Sequence, residues 1–514
     1  MRKRAVANRA LPVALVGVMG VAGVAGVALL GSPDAGPVVG AIPVRTLPIA
    51  MTIAARTGRA FVVNSQDNSV GVVDMGVGRL LRTVTVGYSP VGAAVDARGG
   101  RVFVADNSDA NDGYLGSVTI LDATTGRVMR REMLAGDVKP LAIAVDSRHA
   151  LVYVVNKEKV HYDFSGPDPR IESATVEVLD ATSGRLLHAV ALTARYNPLA
   201  IALDEGGGRA YVASVNDTTG DAGTLSVIDG RGGRLLRTVP LHKRPDTVAF
   251  VPAPPGRARG DRVLVTESDM RGGFPFIPTT VATFDAATGR LLRSVTVPSG
   301  PVAGAVDART GRLYTLRSTG LLGVTAPPPT ISAPARMTAP FAAGNLTARV
   351  PSSLGGLNML DARTGLPAGS IPLTGNPLAL AVDEASGRVV VPSMEYAVRD
   401  GGVVWYPAVL VWEARHGQGQ GQGPRPRTIA IGDATRLDWS GTGFASGGPG
   451  GVIAVDERSG HVLVAVAGGA VTPPVVDPWR WLPHWLRQRL PFATTPIART
   501  RTVPPRLVVL DPSQ

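Results

Sequence analysis

The stretch LAIAVDSRHALVYVVN, residues 141–156, decides the fold. It holds two short runs rich in Val, Ile, Leu, Ala and Tyr around an Asp-led polar turn, the pattern of a tight β-hairpin. The hairpin returns along the chain. Its first run reappears at residues 91–96 (VGAAVD), 199–204 (LAIALD), 302–307 (VAGAVD) and 378–383 (LALAVD). Small residues recur in it because an innermost strand crowds a central axis, where large side chains would collide. A third run ending in Asp and a fourth run complete each unit. Four strands per repeat is the blade of a β-propeller, an all-β fold.

The turns repeat as strictly as the strands. Asp-x-x-x-Gly occurs eleven times at corresponding places, among them residues 96–100, 122–126, 180–184, 285–289 and 456–460. An Asp carboxylate accepts N–H bonds from the turn it opens, and Gly supplies the positive φ that closes the turn without a Cβ clash.

Val152-Tyr153-Val154-Val155-Asn156, with residues 60–64 (AFVVN) and 102–106 (VFVAD), resembles the signature strand of the YVTN-repeat β-propeller family. The third runs at 118–122 (VTILD) and 225–229 (LSVID) match it as well. The resemblance covers roughly residues 44–511, is close over the first five units and is diluted by insertions in the last three. It implies the fold and hardly any activity, because function lives in sites grafted on a fold.

First-to-second turns fall near Gly58, Gly100, His149, Gly208, Arg257, Gly311, Gly387 and Gly460, which predicts eight blades, with seven as the alternative if one diluted unit is not a blade. The last unit stops at its third run, residues 506–511 (RLVVLD). Residues 45–49 (RTLPI) copy the fourth run at 237–241 (RTVPL), so an N-terminal strand is expected to complete the last blade and close the ring. The expected organisation is a signal anchor or signal peptide at 1–30, a linker at 31–43 and the propeller at 44–514, with insertions at about 320–355, 413–428 and 470–505.

Arg2, Lys3, Arg4 and Arg9 precede an uncharged run over residues 10–30, long enough to span a bilayer. The basic flank predicts a cytoplasmic N-terminus and an exported remainder. The expected location is the cell membrane, single-pass with the propeller outside the cytoplasm; the alternative is a secreted or periplasmic protein after signal cleavage, with residues 39–41 (VGA) as the site. The chain contains no cysteine, which excludes disulfides, thiolate nucleophiles and covalently attached c-type haem. Its net charge of +12 favours anionic partners. Export argues against nucleic acid.

Blade geometry puts the first-to-second and third-to-fourth turns at one end of the ring and the second-to-third loops at the other. At the first end, Arg follows the turn glycine at positions such as Arg59, Arg79, Arg101, Arg209 and Arg234, which suits either local pairing with turn aspartates or a basic ring facing anionic lipid or polymer. At the second end loop length grows along the chain, and insertions on one side of a repeat scaffold mark its working surface. The candidate ligand contacts there are Asp106, Asn107, Asp109, Asn111 and Asp112; His161 and Asp163; Asn216 and Asp217; Glu267, Asp269 and Arg271; and Glu395, Arg399 and Trp405. Trp481 and Trp485 join them from an Arg- and Trp-rich insertion that suits a membrane interface, a docking surface or a lid on the ring itself.

Residues 106–113 (DNSDANDG) place oxygen ligands at close spacing, as calcium requires, but Gly113 falls one place late for an EF-hand loop and a turn-forming polar loop fits better. No other cofactor is implied. The seven histidines fall in different units without metal-ligand spacing, and no nucleophile elbow or phosphate-binding loop stands in a suitable context. These features favour a module that binds a protein, glycan or envelope component through its long-loop face. The alternatives are a lactonase-type hydrolase and a cofactor-carrying electron-transfer propeller, whose sites would be assembled across blades and leave no local signature.

Overall fold

In the computed structural model of the chain, the repeat unit folds as four antiparallel strands in sequence order, and eight such sheets stand around one axis. The structure describes residues 38–43, 48–108, 116–161, 170–216, 222–253, 260–268, 279–297, 301–318, 339–340, 347–348, 355–413, 426–431, 453–471 and 501–512, apart from isolated positions and pairs within these spans. The first blade runs Ala50–Ala54, Arg59–Asn64, Ser69–Asp74 and Arg79–Thr85 from the axis outward. The fourth runs Tyr196–Asp204, Arg209–Asn216, Gly223–Asp229 and Arg234–Leu241.

Strand periodicity explains why the blades stack. In the second strand of the first blade, Phe61 and Val63 pack against the second blade, whereas Ala60 and Val62 pack against the eighth. One strand therefore feeds two junctions, because successive side chains point to opposite faces. The second strands are almost wholly buried, and each fully buried Val or Phe contributes roughly 1.5–3 kcal/mol. Outermost strands such as Arg79–Thr85 are mostly exposed.

The turn chemistry is as expected. Ten of the eleven turn glycines have φ between 60° and 75°, and the eleventh, Gly365, lies outside the described residues. Asp122 Oδ1 accepts the N–H groups of Thr124 at 3.1 Å and Thr125 at 2.6 Å, and Asp204 and Asp229 each accept a turn glycine N–H at 2.9 Å. At one turn the glycine position is filled by another residue: after Asp146 it holds Ala150, which still adopts φ 53°.

The N-terminal strand closes the ring beside Arg506–Leu510, but it is Val38–Pro43 rather than residues 45–49. Ile42 stands opposite Leu507 and is buried in the cluster shared by the seventh, eighth and first blades. The strand also passes the first blade's outer turn so closely that a Cβ on Gly40 would lie 2.4 Å from the Gly78 carbonyl oxygen. Only a strand with glycine at that place fits, and RTLPI has none. Residues 38–43, at the end of the segment expected as linker, thus supply the closing strand. Ile49 instead donates its N–H to Val63 O at 2.9 Å, inside the first blade.

The seventh blade differs most from the pattern. Its innermost strand is broken into Asn376–Pro377 and Ala381–Asp383, and its middle strands, Arg388–Arg399 and Gly402–Glu413, form a hairpin of twelve residues each. Its third strand ends at Glu413 and its fourth begins at Arg427, both at the short-turn end of the ring, and residues 414–425 between them lie outside the described residues.

Candidate functional site

At the loop end, the last residues of the second strands form a buried polar layer. Asn64, Asp106 and Asn156 occupy equivalent places, opposite Ser69, Ser117 and Thr175. Asp106 was expected on the loop surface but is fully buried. It accepts hydrogen bonds from Thr119 Oγ1 at 2.6 Å, Ser117 Oγ at 3.3 Å and the N–H of Gly87, in the connection from the first blade. Burial pushes its carboxyl up to about 6. In the third blade Glu177 does the same work: Oε2 accepts Ala135 N–H at 3.2 Å, and Oε1 accepts Asn156 Nδ2 at 3.2 Å. Burial raises its pKa as well. Both carboxylates grip the backbone that arrives from the preceding blade.

The fifth blade carries a denser group. Glu267 is buried near the end of its second strand, opposite Pro245 and Thr280. Burial pushes Glu267 up to about 7; Lys243 opposes that shift and Asp246 adds to it. Burial likewise brings Asp246 to about 6, and Asp246 accepts a hydrogen bond from Ser268 Oγ. Lys243 Nζ donates to Thr280 Oγ1 at 2.9 Å. Two carboxylates and an ammonium so placed can share a proton or hold a cationic group.

Asp246 and Lys243 escaped the sequence reading, yet a signal existed. Asp246 follows the proline at which the innermost strand shifts register, where the second, third and fourth blades carry Val91, Leu141 and Leu199. An acid in an aliphatic position was the mark.

The other expected contacts scatter. Glu395 is buried and accepts from Ser393 Oγ at 2.7 Å, two residues back on the same strand. Arg399 and Trp405 lie on the extended hairpin, paired with Gly402 and Tyr396, not in a loop. His161 sits on a short ribbon opposite Arg170. Asn216 ends a second strand and donates its N–H to Ala222 O at 2.9 Å, and Asn107 is half-buried. Asp109, Asn111, Asp112, Asp163, Asp217, Asp269, Arg271, Trp481 and Trp485 lie outside the described residues. Among the described residues no group of three or more His, Asp or Glu side chains could hold a metal ion, and Asp106, the first residue of the calcium candidate, is committed to blade contacts through Oδ2.

The opposite end is stitched from turn to turn. The carbonyl just after a third-strand aspartate receives a donor from the preceding blade: His461 Nδ1 with Met75 O at 2.9 Å, Thr57 Oγ1 to Ala123 O at 3.0 Å, Arg101 to Ala181 O at 3.1 Å and Tyr211 OH to Ala286 O at 3.2 Å. Nearer the axis, Arg458 donates to Arg56 O and Arg56 to Ala97 O. Several turn arginines also stand in register with a carboxylate, as Arg59 with Asp74, Arg209 with Asp229 and Arg262 with Asp285. Between two turns of the fourth blade an open cleft is lined by Arg209, Arg231, Arg234 and Leu236 around Asp229.

No family model matches the chain, and no curated protein does. Among solved structures it is similar to a chain of Kuenenia stuttgartiensis hydrazine synthase, with a TM-score of 0.46, 14% identity, and coverage of 70% of this chain and 95% of that one. A likeness of that size bears on neither ligand nor reaction.

Proposed function

We propose that the chain is a membrane-tethered extracytoplasmic propeller that binds an envelope component through its loop end, as a binding or scaffolding module and not as a catalyst. One observation carries the reading: the two ends of the ring are built differently. The turn end is mostly short turns tied to one another, whereas the loop end carries the twelve-residue hairpin of the seventh blade and a two-stranded ribbon at Lys159–His161 and Arg170–Glu172. Projections on one side of a closed scaffold suit a partner-binding surface. The motif strands support kinship with YVTN-repeat propellers, and the basic residues ahead of the apolar run at 10–30 support the tether, with signal cleavage as the alternative route to the same compartment. No helix among the described residues is long and apolar enough to cross a membrane, and residues 10–30 lie outside them.

The test is to shorten the seventh-blade hairpin by replacing residues 396–405 with Asn-Gly, and to measure binding to isolated wall polysaccharide. The reading expects at least a tenfold loss of affinity, about 1.4 kcal/mol, at an unchanged melting temperature. Undiminished binding, or turnover of a lactone panel by the intact chain with calcium, would overturn it.

A further inference from the structure

The turn end has a second property besides its stitching. Each of the first five outermost strands starts with two aliphatic residues just after a turn arginine: Leu80-Leu81, Val128-Met129, Leu186-Leu187, Leu235-Leu236 and Leu291-Leu292. Apart from Leu80 these side chains are exposed, at 36% to 52%. Scattered surface leucines need no explanation, but the same pair at the same height on five consecutive blades is a recurrent apolar rim. Arginine stands on both sides of the pair in four blades, and the third blade has Arg185 and His188. Among the described residues, the guanidinium groups of Arg79, Arg82, Arg127, Arg185, Arg290 and Arg293 make no hydrogen bond or ion pair. The turn aspartates beside them are occupied by turn amides.

Height fixes the geometry. The aliphatic pair lies within three residues of the turn glycine, so it sits at most about 10 Å below the tip of the ring at ~3.3 Å per residue. That matches the ~5–10 Å to which an interfacial apolar face sinks among headgroups and acyl chains, with arginines at the phosphate level. The cleft of Arg209, Arg231, Arg234 and Leu236 opens at the same end and holds three guanidinium groups against one carboxylate. The closing strand also enters there, at Val38, because outermost strands run from the turn end to the loop end.

We propose that the turn end is a docking surface for an anionic lipid bilayer, with the aliphatic rim inserted between headgroups and the arginine cleft of the fourth blade taking a lipid phosphate. This rests on the tethered reading only for which surface is at hand. The loop end then faces away from the membrane.

The chain has no cysteine, so single labels are unambiguous. Full-length Leu187→Cys, Leu236→Cys and Gln66→Cys, the last on the loop end, would carry an environment-sensitive fluorophore in vesicles containing lipid-borne nitroxide. In vesicles of roughly one-third phosphatidylglycerol, quenching at 187 and 236 should exceed that at 66 by about threefold or more, and should fall when Arg231→Gln and Arg185→Gln are added. Stronger quenching at 66, equal quenching in pure phosphatidylcholine, or none at any site on vesicles that carry the protein would overturn the proposal. Flotation with phosphatidylcholine vesicles reports the tether separately. If that fails, the rim stands when phosphatidylglycerol vesicles still recover the protein and falls when they do not.

Discussion

The two ends of this ring use carboxylates in opposite ways. At the turn end Asp122, Asp180 and Asp229 sit near solvent, and hydrogen bonds from turn amides hold each below the usual carboxylate range. At the loop end Asp106, Asp246 and Glu267 are withdrawn from water, and burial lifts each well above it. The same functional group stabilises a turn where it stays charged and strains a junction where it must lose hydration. A closed ring therefore has one acid-sensitive end and one end that acid relaxes.

The sharpest way to break this contrast is at Gly87. Its N–H serves Asp106, and an alanine methyl there would lie 2.5 Å from Asp106 Cβ, so Gly87→Ala should cost about 3 kcal/mol in urea unfolding. At the turn end Gly58→Ala meets nothing within 4 Å and carries only the strain of φ 63°, about 1 kcal/mol. Equal costs at the two sites would refute the difference in packing.

Proton linkage comes next in size. Asp106, Asp246 and Glu267 have folded pKa values near 6, 6 and 7 against ordinary values of 3.8, 3.8 and 4.5. The native ring thus holds protons that the unfolded chain has released, and stability should fall as pH rises through this window, from about 4 to about 7. The turn aspartates have the reverse sign: their contribution is present above 3.8 and is lost as pH falls through their lower folded values. Asp106→Asn separates the two, since Asn64 and Asn156 already fill the equivalent place in the neighbouring blades. It should stabilise the ring by about 1–2 kcal/mol at pH 8, by roughly half of that near pH 5 and by almost nothing near pH 3. A melting-temperature gain that does not depend on pH would count against the buried-charge account.

Smaller effects probe the turns. Asp122→Ala removes the acceptor for two backbone N–H groups at an exposed corner and should lower the unfolding free energy by about 1 kcal/mol, with the loss shrinking below pH 4. Ala150→Gly should raise it by about 0.5–1 kcal/mol, because φ 53° suits glycine. A destabilised Ala150→Gly protein would mean that the position is held by something other than turn geometry.

The turn end was legible because its chemistry is local. Asp-x-x-x-Gly names both the acceptor and the residue with positive φ within five positions, so the eight-blade ring and most of its turns follow from spacing. The loop end was legible only as a place. Its candidate residues are mostly polar, and Asp106, Glu267 and Glu395 are buried, because a polar residue at a strand end reads the same whether it meets solvent or a neighbouring blade's backbone. Asp246 went unnoticed because its meaning depends on comparison with Val91, Leu141 and Leu199 in register, not on its neighbours in sequence.

The repeat by itself determined the four-stranded unit, since that depends on residues a few positions apart; it narrowed the ring to eight blades or seven and called for an N-terminal strand to complete the last one. Which strand closes the ring, which carboxylates lose their water and which leucines remain in contact with it were decided only when distant blades met. Gly40 matters because Gly78 passes beside it, and Asp106 because Gly87 does. Burial is a property of neighbours in space, and in a closed wheel those neighbours come from adjoining blades, which at the closure are the first and the last.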